Sequence, residues 1–444
     1  MIRFLAALLV LAMTLISPSA DAQQPMAWKT SWVGSIQGPY PIGNPSVQPD
    51  QRFAFPNPAG GAEDQSFRLI LRPTLWGKQA RLRFSNALGT KPVRLAAARV
   101  GMQLGAAALV PGSNRALTFA GQPGVTIAPG SSVWSDPVDL PLEDPSSPAL
   151  VGRKLAVSFH VAGDSGPMTW HAKALQTSYV SAPKSGDKSA EEGEGGFPYA
   201  TASWFFLDAL DVMAPAATPV VIGFGDSITD GTASVMNGDD RWPDVLSRRI
   251  VQAYGINRAA VLNAGIGGNQ VVGPADYSPA KPFPGGPSAL SRLERDVISL
   301  SGVTTLIWLE GINDFSKNGE ASAEAVEKGM REGVARLRAA SPGIRVIGAT
   351  LTSALGSTSA AHGFAAQDDK RKALNQFIRA SGVFDAVADF DAAILDPATG
   401  GMKPEFIPDS TAGGVGDKLH PNRTGYQAMA HAIDLAAVLP GLKK

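Results

Sequence analysis

The chain has 444 residues, and at about 100–200 residues per domain it holds two or three domains with ample length for a core. Lys plus Arg and Asp plus Glu number 39 each, so no net charge draws the chain to nucleic acid or an anionic membrane. Cysteine is absent, which excludes disulfides, thiolate metal sites and a cysteine nucleophile together, and the 48 glycines and 34 prolines predict many turns.

At the N-terminus Arg3 precedes an apolar run over residues 4–16, followed by Ala20-Asp21-Ala22, the small-residue pattern of a signal-peptidase site. The run is shorter than the ~20 residues a spanning helix needs, so the expectation is a signal peptide over 1–22, cleaved after Ala22. The mature chain is then expected in a periplasm or outside the cell. No later segment is long and apolar enough to span a bilayer, so no stable membrane insertion is expected.

From about residue 28 to 213, short runs of alternating apolar and polar residues recur between glycines and prolines, as at 67–72 and 80–84. Further strands are predicted at 93–100, 116–119, 125–127, 154–161 and 203–212, a spacing that predicts a β-sandwich over 23–213. Residues 181–198 lack apolar periodicity and read as a mobile loop. Trp76, Trp134, Trp170 and Trp204 have the chemistry to stack on sugar, although core packing is the commoner role. The chain changes character at 214–219.

Beyond Pro219, buried strands alternate with helices, the pattern of a parallel sheet covered on both faces. Strands are predicted at 220–224, 259–262, 303–309, 344–349 and 384–390. Helices are predicted at 243–254, 288–300, 322–340 and 367–380, with a last one after Pro421. Two connections, 273–287 and 353–363, are long enough to act as substrate-facing flaps.

The reactive side chains gather at the strand ends. The first strand runs into Gly225-Asp226-Ser227, the second into Asn263-Ala264-Gly265-Ile266-Gly267-Gly268-Asn269, and the third into Gly311-Ile312-Asn313-Asp314. Open α/β sheets bind ligands at that edge, and a 2-1-3-4-5 strand order would bring Ser227 and Asn313 face to face. Near the C-terminus, Asp417 stands three residues before His420, a spacing that brings carboxylate and imidazole together in one turn. A serine hydroxyl needs an imidazole to take its proton, and the imidazole needs a carboxylate to fix its tautomer. Ser227, His420 and Asp417 fit those roles. The Ser227 and Gly268 N–H groups and the Asn313 amide fit the role of oxyanion donors, with Gly265 and Gly267 as rivals to Gly268.

These blocks, taken in order, resemble the SGNH/GDSL hydrolases, which include secreted or periplasmic esterases and lipases. The resemblance covers about residues 219–444. It implies a flavodoxin-like three-layer α/β/α catalytic domain, a Ser-His-Asp triad, a carboxylic ester as substrate (small-molecule or polysaccharide) and no cofactor. The strand-rich half is similar to the β-sandwich that precedes this catalytic domain in some bacterial esterases. Some carbohydrate acetyl esterases share that order, and certain of them lack the triad aspartate that this chain has.

Asp226, Trp242 and Trp308 flank the blocks and are the candidates for the substrate cleft. Asp226 and Asp230 lack the His cluster or P-loop that a metal or phosphoryl site would bring. Gly163-Asp164-Ser165-Gly166-Pro167 mimics a protease nucleophile segment, but the only histidine upstream is His160, so Ser165 reads as a turn residue. No G-x-S-x-G elbow exists. The rival to an esterase is a glycan-binding protein that uses a hydrolase-like scaffold without catalysis.

Overall fold

The computed structural model describes residues 24–409 and 416–443, so the expected signal peptide lies outside the described residues. The N-terminal half forms two large antiparallel sheets and a small third one of Gly38–Pro39, Thr169–His171 and Trp204–Phe205. Of the two large sheets, one orders Met26–Val33, Leu207–Pro215, Gln79–Ser85 and Val138–Asp139, with Ser132–Trp134 also on Gln79–Ser85. The other centres on Glu63–Leu71, Leu155–Asp164 and Val93–Gly105. Alternation decides which side chains face inward. Phe67, Leu69 and Leu71 point into the shared core, and Phe84 of one sheet meets Phe159 of the other at 5.4 Å between ring centres. Arg68 faces the opposite way.

That arginine corrects the reading of 181–198 as a mobile loop. Its buried guanidinium donates to the carbonyls of Ala107, Glu191 and Gly193 and lies 4.1 Å from the Phe197 ring. The loop therefore covers the outer sheet face, its polar backbone satisfied by a cation that composition alone does not reveal. Ser66, His160 and Asp64 imitate a triad nearby, but Ser66 is fully buried and its hydroxyl donates to Gly186 O, pinning the same loop.

The C-terminal half holds five parallel strands in the order Ala260–Gly265, Val220–Gly225, Val303–Leu309, Arg345–Ala349 and Ala386–Ala388, the 2-1-3-4-5 order expected. Val220, Ile222 and Phe224 pack on one face with helix Ala323–Ala340, while Val221, Ile307 and Leu309 pack on the other with helices Trp242–Tyr254 and Arg423–His431. The last strand is shorter than expected. The Asp385 carboxylate takes the Val346 N–H, and Asp389 already caps the next helix. The helix expected over 288–300 is an α-turn, Ala289–Leu293, followed by a π-turn, Glu294–Ile298, which brings both Arg292 and Arg295 onto Asp296.

The two halves share one continuous apolar cluster. The open edge of the parallel sheet is closed by the sandwich, where the Thr74 hydroxyl both accepts from Val261 N and donates to Val261 O at 3.0 Å. The 273–287 connection is also anchored on the sandwich, since Tyr277 donates to Gln37 O and Gln37 donates to Pro284 O.

Candidate active site

Three adjacent strand ends build the site. Val220–Gly225 leads into a short helix, Ser227–Asp230, whose N-cap is Asp226, with its carboxylate accepting from Ile228 N at 2.9 Å. A side chain at Gly225 would lie 2.1 Å from Leu309 O, so only glycine lets the nucleophile turn pack against the third strand. Ser227 thereby stands at the first helical position, where its own N–H has no intrahelical acceptor.

Residues 417–420 bring the other partners. Ser227 Oγ lies 2.8 Å from His420 Nε2, and His420 Nδ1 lies 2.6 Å from Asp417 Oδ2. The second oxygen of Asp417 accepts from the backbone N–H groups of Leu419 and His420, both at 2.9 Å. Burial raises the pKa of this carboxyl, but the hydrogen bond and charge of His420, with those two N–H groups, hold it well below the usual carboxylate range. Asp417 is a fixed anion against the imidazole.

The oxyanion candidates lie on the neighbouring loops. Gly268 has φ of +84°, a conformation that favours glycine. Asn313 donates one amide proton to Asn269 O at 3.0 Å, and its amide carries a second proton besides. Asp314 ties the third loop to the second by accepting from Val271 N and Val272 N.

The cleft candidates are placed differently from expectation. Trp242 and Trp308 are 0% exposed and lie beneath the site, Trp242 against Phe390 and Trp308 against Phe224. Their indole N–H groups are spent on Thr229 and Glu310. Flanking a reactive block in sequence does not put a side chain on its open face: Trp308 points from its strand into one core layer, and Trp242 opens a helix whose inner face packs into the other. Asp226 is also buried, a helix cap whose pKa burial pushes up to about 7. Ser165 is a turn residue, its hydroxyl accepting from Ala62 N and donating to Gly166 O. Trp76, Trp170 and Trp204 are buried in the sandwich, whereas Trp134 carries Arg81 on its ring.

Several residues escaped the sequence reading. Arg292, fully buried, donates to Gly225 O, Ala264 O and Asn269 Oδ1, locking two strand ends and the second loop together. Its signal was an arginine on the apolar stripe of Ala289 and Leu293. His362 accepts from Gln367 Nε2 at 2.7 Å, and burial, aided by nearby His420, lowers its pKa to about 4. From the sandwich come Asn44, His171 and Lys173. Lys173 is buried, donates to Thr232 Oγ1, and feels the charges of Asp230, Asp226 and Asp417, while burial lowers its pKa. Among the described residues no group of His, Asp and Glu side chains is arranged to hold a metal ion, and no helix is long and apolar enough to cross a membrane.

Residues 224–428 match the model of the GDSL-like Lipase/Acylhydrolase family. The strand-end serine and the family match together define a carboxylic ester hydrolase. Residues 224–428 carry a GDSL-like acylhydrolase domain, preceded by a β-rich region. Among solved structures, the chain is similar to Est24, a carbohydrate acetylesterase from Sinorhizobium meliloti (14% identity, TM-score 0.35, 48% of this chain and 95% of that one). An aryl esterase from M. smegmatis is similar at 16% identity and TM-score 0.37, over 50% of this chain and 100% of its own. A GDSL-like lipase from Bacteroides thetaiotaomicron is similar at 18% identity and TM-score 0.36, over 50% and 88%. No curated protein matches the chain.

Proposed function

We propose that the protein is a secreted serine esterase working through an acyl-enzyme, with 23–213 as an accessory β-sandwich domain and 219–444 as the catalytic domain. The observation that carries this is the continuous relay from Ser227 Oγ through His420 to Asp417, at 2.8 and 2.6 Å. Ser227 Oγ attacks the ester carbonyl as His420 Nε2 takes its proton, and Asp417 holds the resulting imidazolium. The carbonyl oxygen, now an anion, is received by the Ser227 and Gly268 N–H groups and the Asn313 amide. Collapse expels the alcohol, which takes the proton from His420. Water, deprotonated by His420, then attacks the acyl-serine, and collapse releases the acid and returns the proton to Ser227. O-acetylated carbohydrates and lipid or aryl esters are the substrate classes to compare. The test is hydrolysis of p-nitrophenyl acetate by the wild type and by Ser227→Ala. The variant is expected to lose at least about 10³-fold in kcat. Equal turnover by the two would overturn the proposal.

A further inference from the structure

The loop carrying Gly268 is held by two hydrogen bonds on a single residue, Gly267, one to the short helix of Ser227 and one from the sandwich. Its N–H donates to Asp230 Oδ2 at 2.9 Å. Asp230 is itself braced by the sandwich: His171 Nε2 lies 3.2 Å from Asp230 Oδ1, and His171 Nδ1 lies 2.6 Å from Ser35 O. The Gly267 carbonyl accepts from Asn44 Nδ2 at 2.7 Å, across 223 residues of sequence. The Asn44 amide also fills the space where a side chain at Gly268 would go, its Nδ2 2.5 Å from where a Cβ there would lie.

The Gly267 carbonyl and the Gly268 N–H belong to one planar trans peptide and point in opposite directions. Whatever fixes the carbonyl therefore aims the N–H. We infer that Asn44 of the β-sandwich is a positioning residue for catalysis, orienting the Gly268 N–H as an oxyanion donor through the Gly267 carbonyl. This deepens the esterase reading and rests on it. The strand-rich half then completes the reaction centre, beyond any part it plays in binding substrate. A donor that is free to swing loses most of its worth, because electrostatic stabilisation is effective only when the dipole is in place before charge develops.

The experiment is steady-state kinetics of the full chain on p-nitrophenyl acetate, with Asn44→Ala and Asn44→Asp beside the wild type and a thermal melt of each. Asn44→Ala is expected to lower kcat about 10–100-fold with KM within about threefold. Asn44→Asp keeps the size but turns an oxygen toward the Gly267 carbonyl, so its kcat is expected at or below that of Asn44→Ala. A role in packing alone predicts the reverse order, with the isosteric Asp near wild type. Asn44→Ala within twofold of wild-type kcat, or Asn44→Asp well above Asn44→Ala, would overturn the inference while Ser227-dependent turnover by the wild type keeps the esterase reading intact. A wild type with no Ser227-dependent turnover would overturn both.

Discussion

Replacing Asp417 by asparagine separates two jobs that one carboxylate performs. One oxygen holds the backbone N–H groups of Leu419 and His420 at 2.9 Å, and the other meets His420 Nδ1 at 2.6 Å. An asparagine keeps its Oδ1 on the two N–H groups, so the 417–420 turn survives. Its NH2 then faces Nδ1, which must give up its proton to accept, and the imidazole is forced into the tautomer with Nε2 protonated. That nitrogen, 2.8 Å from Ser227 Oγ, no longer acts as a base. In serine hydrolases such a tautomer error costs ~10⁴ in kcat, or about 5.5 kcal/mol of transition-state stabilisation. Asp417→Ala also loses both backbone hydrogen bonds, at about 1 kcal/mol net each, so it is expected to melt lower than Asp417→Asn. The assay is p-nitrophenyl acetate hydrolysis paired with thermal melts. If Asp417→Asn hydrolyses within tenfold of wild type, the carboxylate does not set the imidazole tautomer and the reasoning fails.

Two further predictions come from buried charge. Lys173 takes part in no ion pair among the described residues, yet is buried beside Gly267, its Nζ 2.9 Å from where a side chain on that glycine would begin. Lys173→Met is expected to lower kcat about tenfold by removing positive potential near the oxyanion loop, while the melting temperature holds or rises because a desolvated charge is gone. A fall in both would make the lysine a structural element. Glu310 accepts from Trp308 Nε1 but leaves its other oxygen without a hydrogen bond, and burial pushes its pKa up to about 8. Its folded-state value exceeds the unfolded one, near 4.3, so its contribution is fully present below about pH 4 and is lost as pH rises through about 8. Glu310→Gln is expected to raise the melting temperature more at pH 8.5 than at pH 5, and a difference that does not grow with pH would contradict this.

Much of the site was legible because its chemistry stands at strand ends, where hydrophobic pattern and turn residues agree. The run 303–309 is apolar and β-branched, matches a strand residue for residue, and points to Asn313 as a rim residue. Asp417 and His420 are close in sequence, so their meeting needs only a local turn. Arg292 and Asn44 were not legible for the opposite reason. Arg292 shows in sequence only as an arginine on an apolar stripe, which does not name the carbonyls it holds, and Asn44 acts on a loop 223 residues away. Trp242 and Trp308 failed as cleft residues because nearness in sequence was taken for nearness in space. The loop over 181–198 failed because its anchor, Arg68, lies on a strand whose inner face alone was read.

The most direct test of an activated serine is the intact mass of the folded full chain after treatment with a fluorophosphonate, beside Ser227→Ala. One adduct on wild type, mapped to the peptide carrying Ser227 and absent from the variant, is the predicted result. No adduct on folded wild type, or an adduct that persists in Ser227→Ala, would contradict the account.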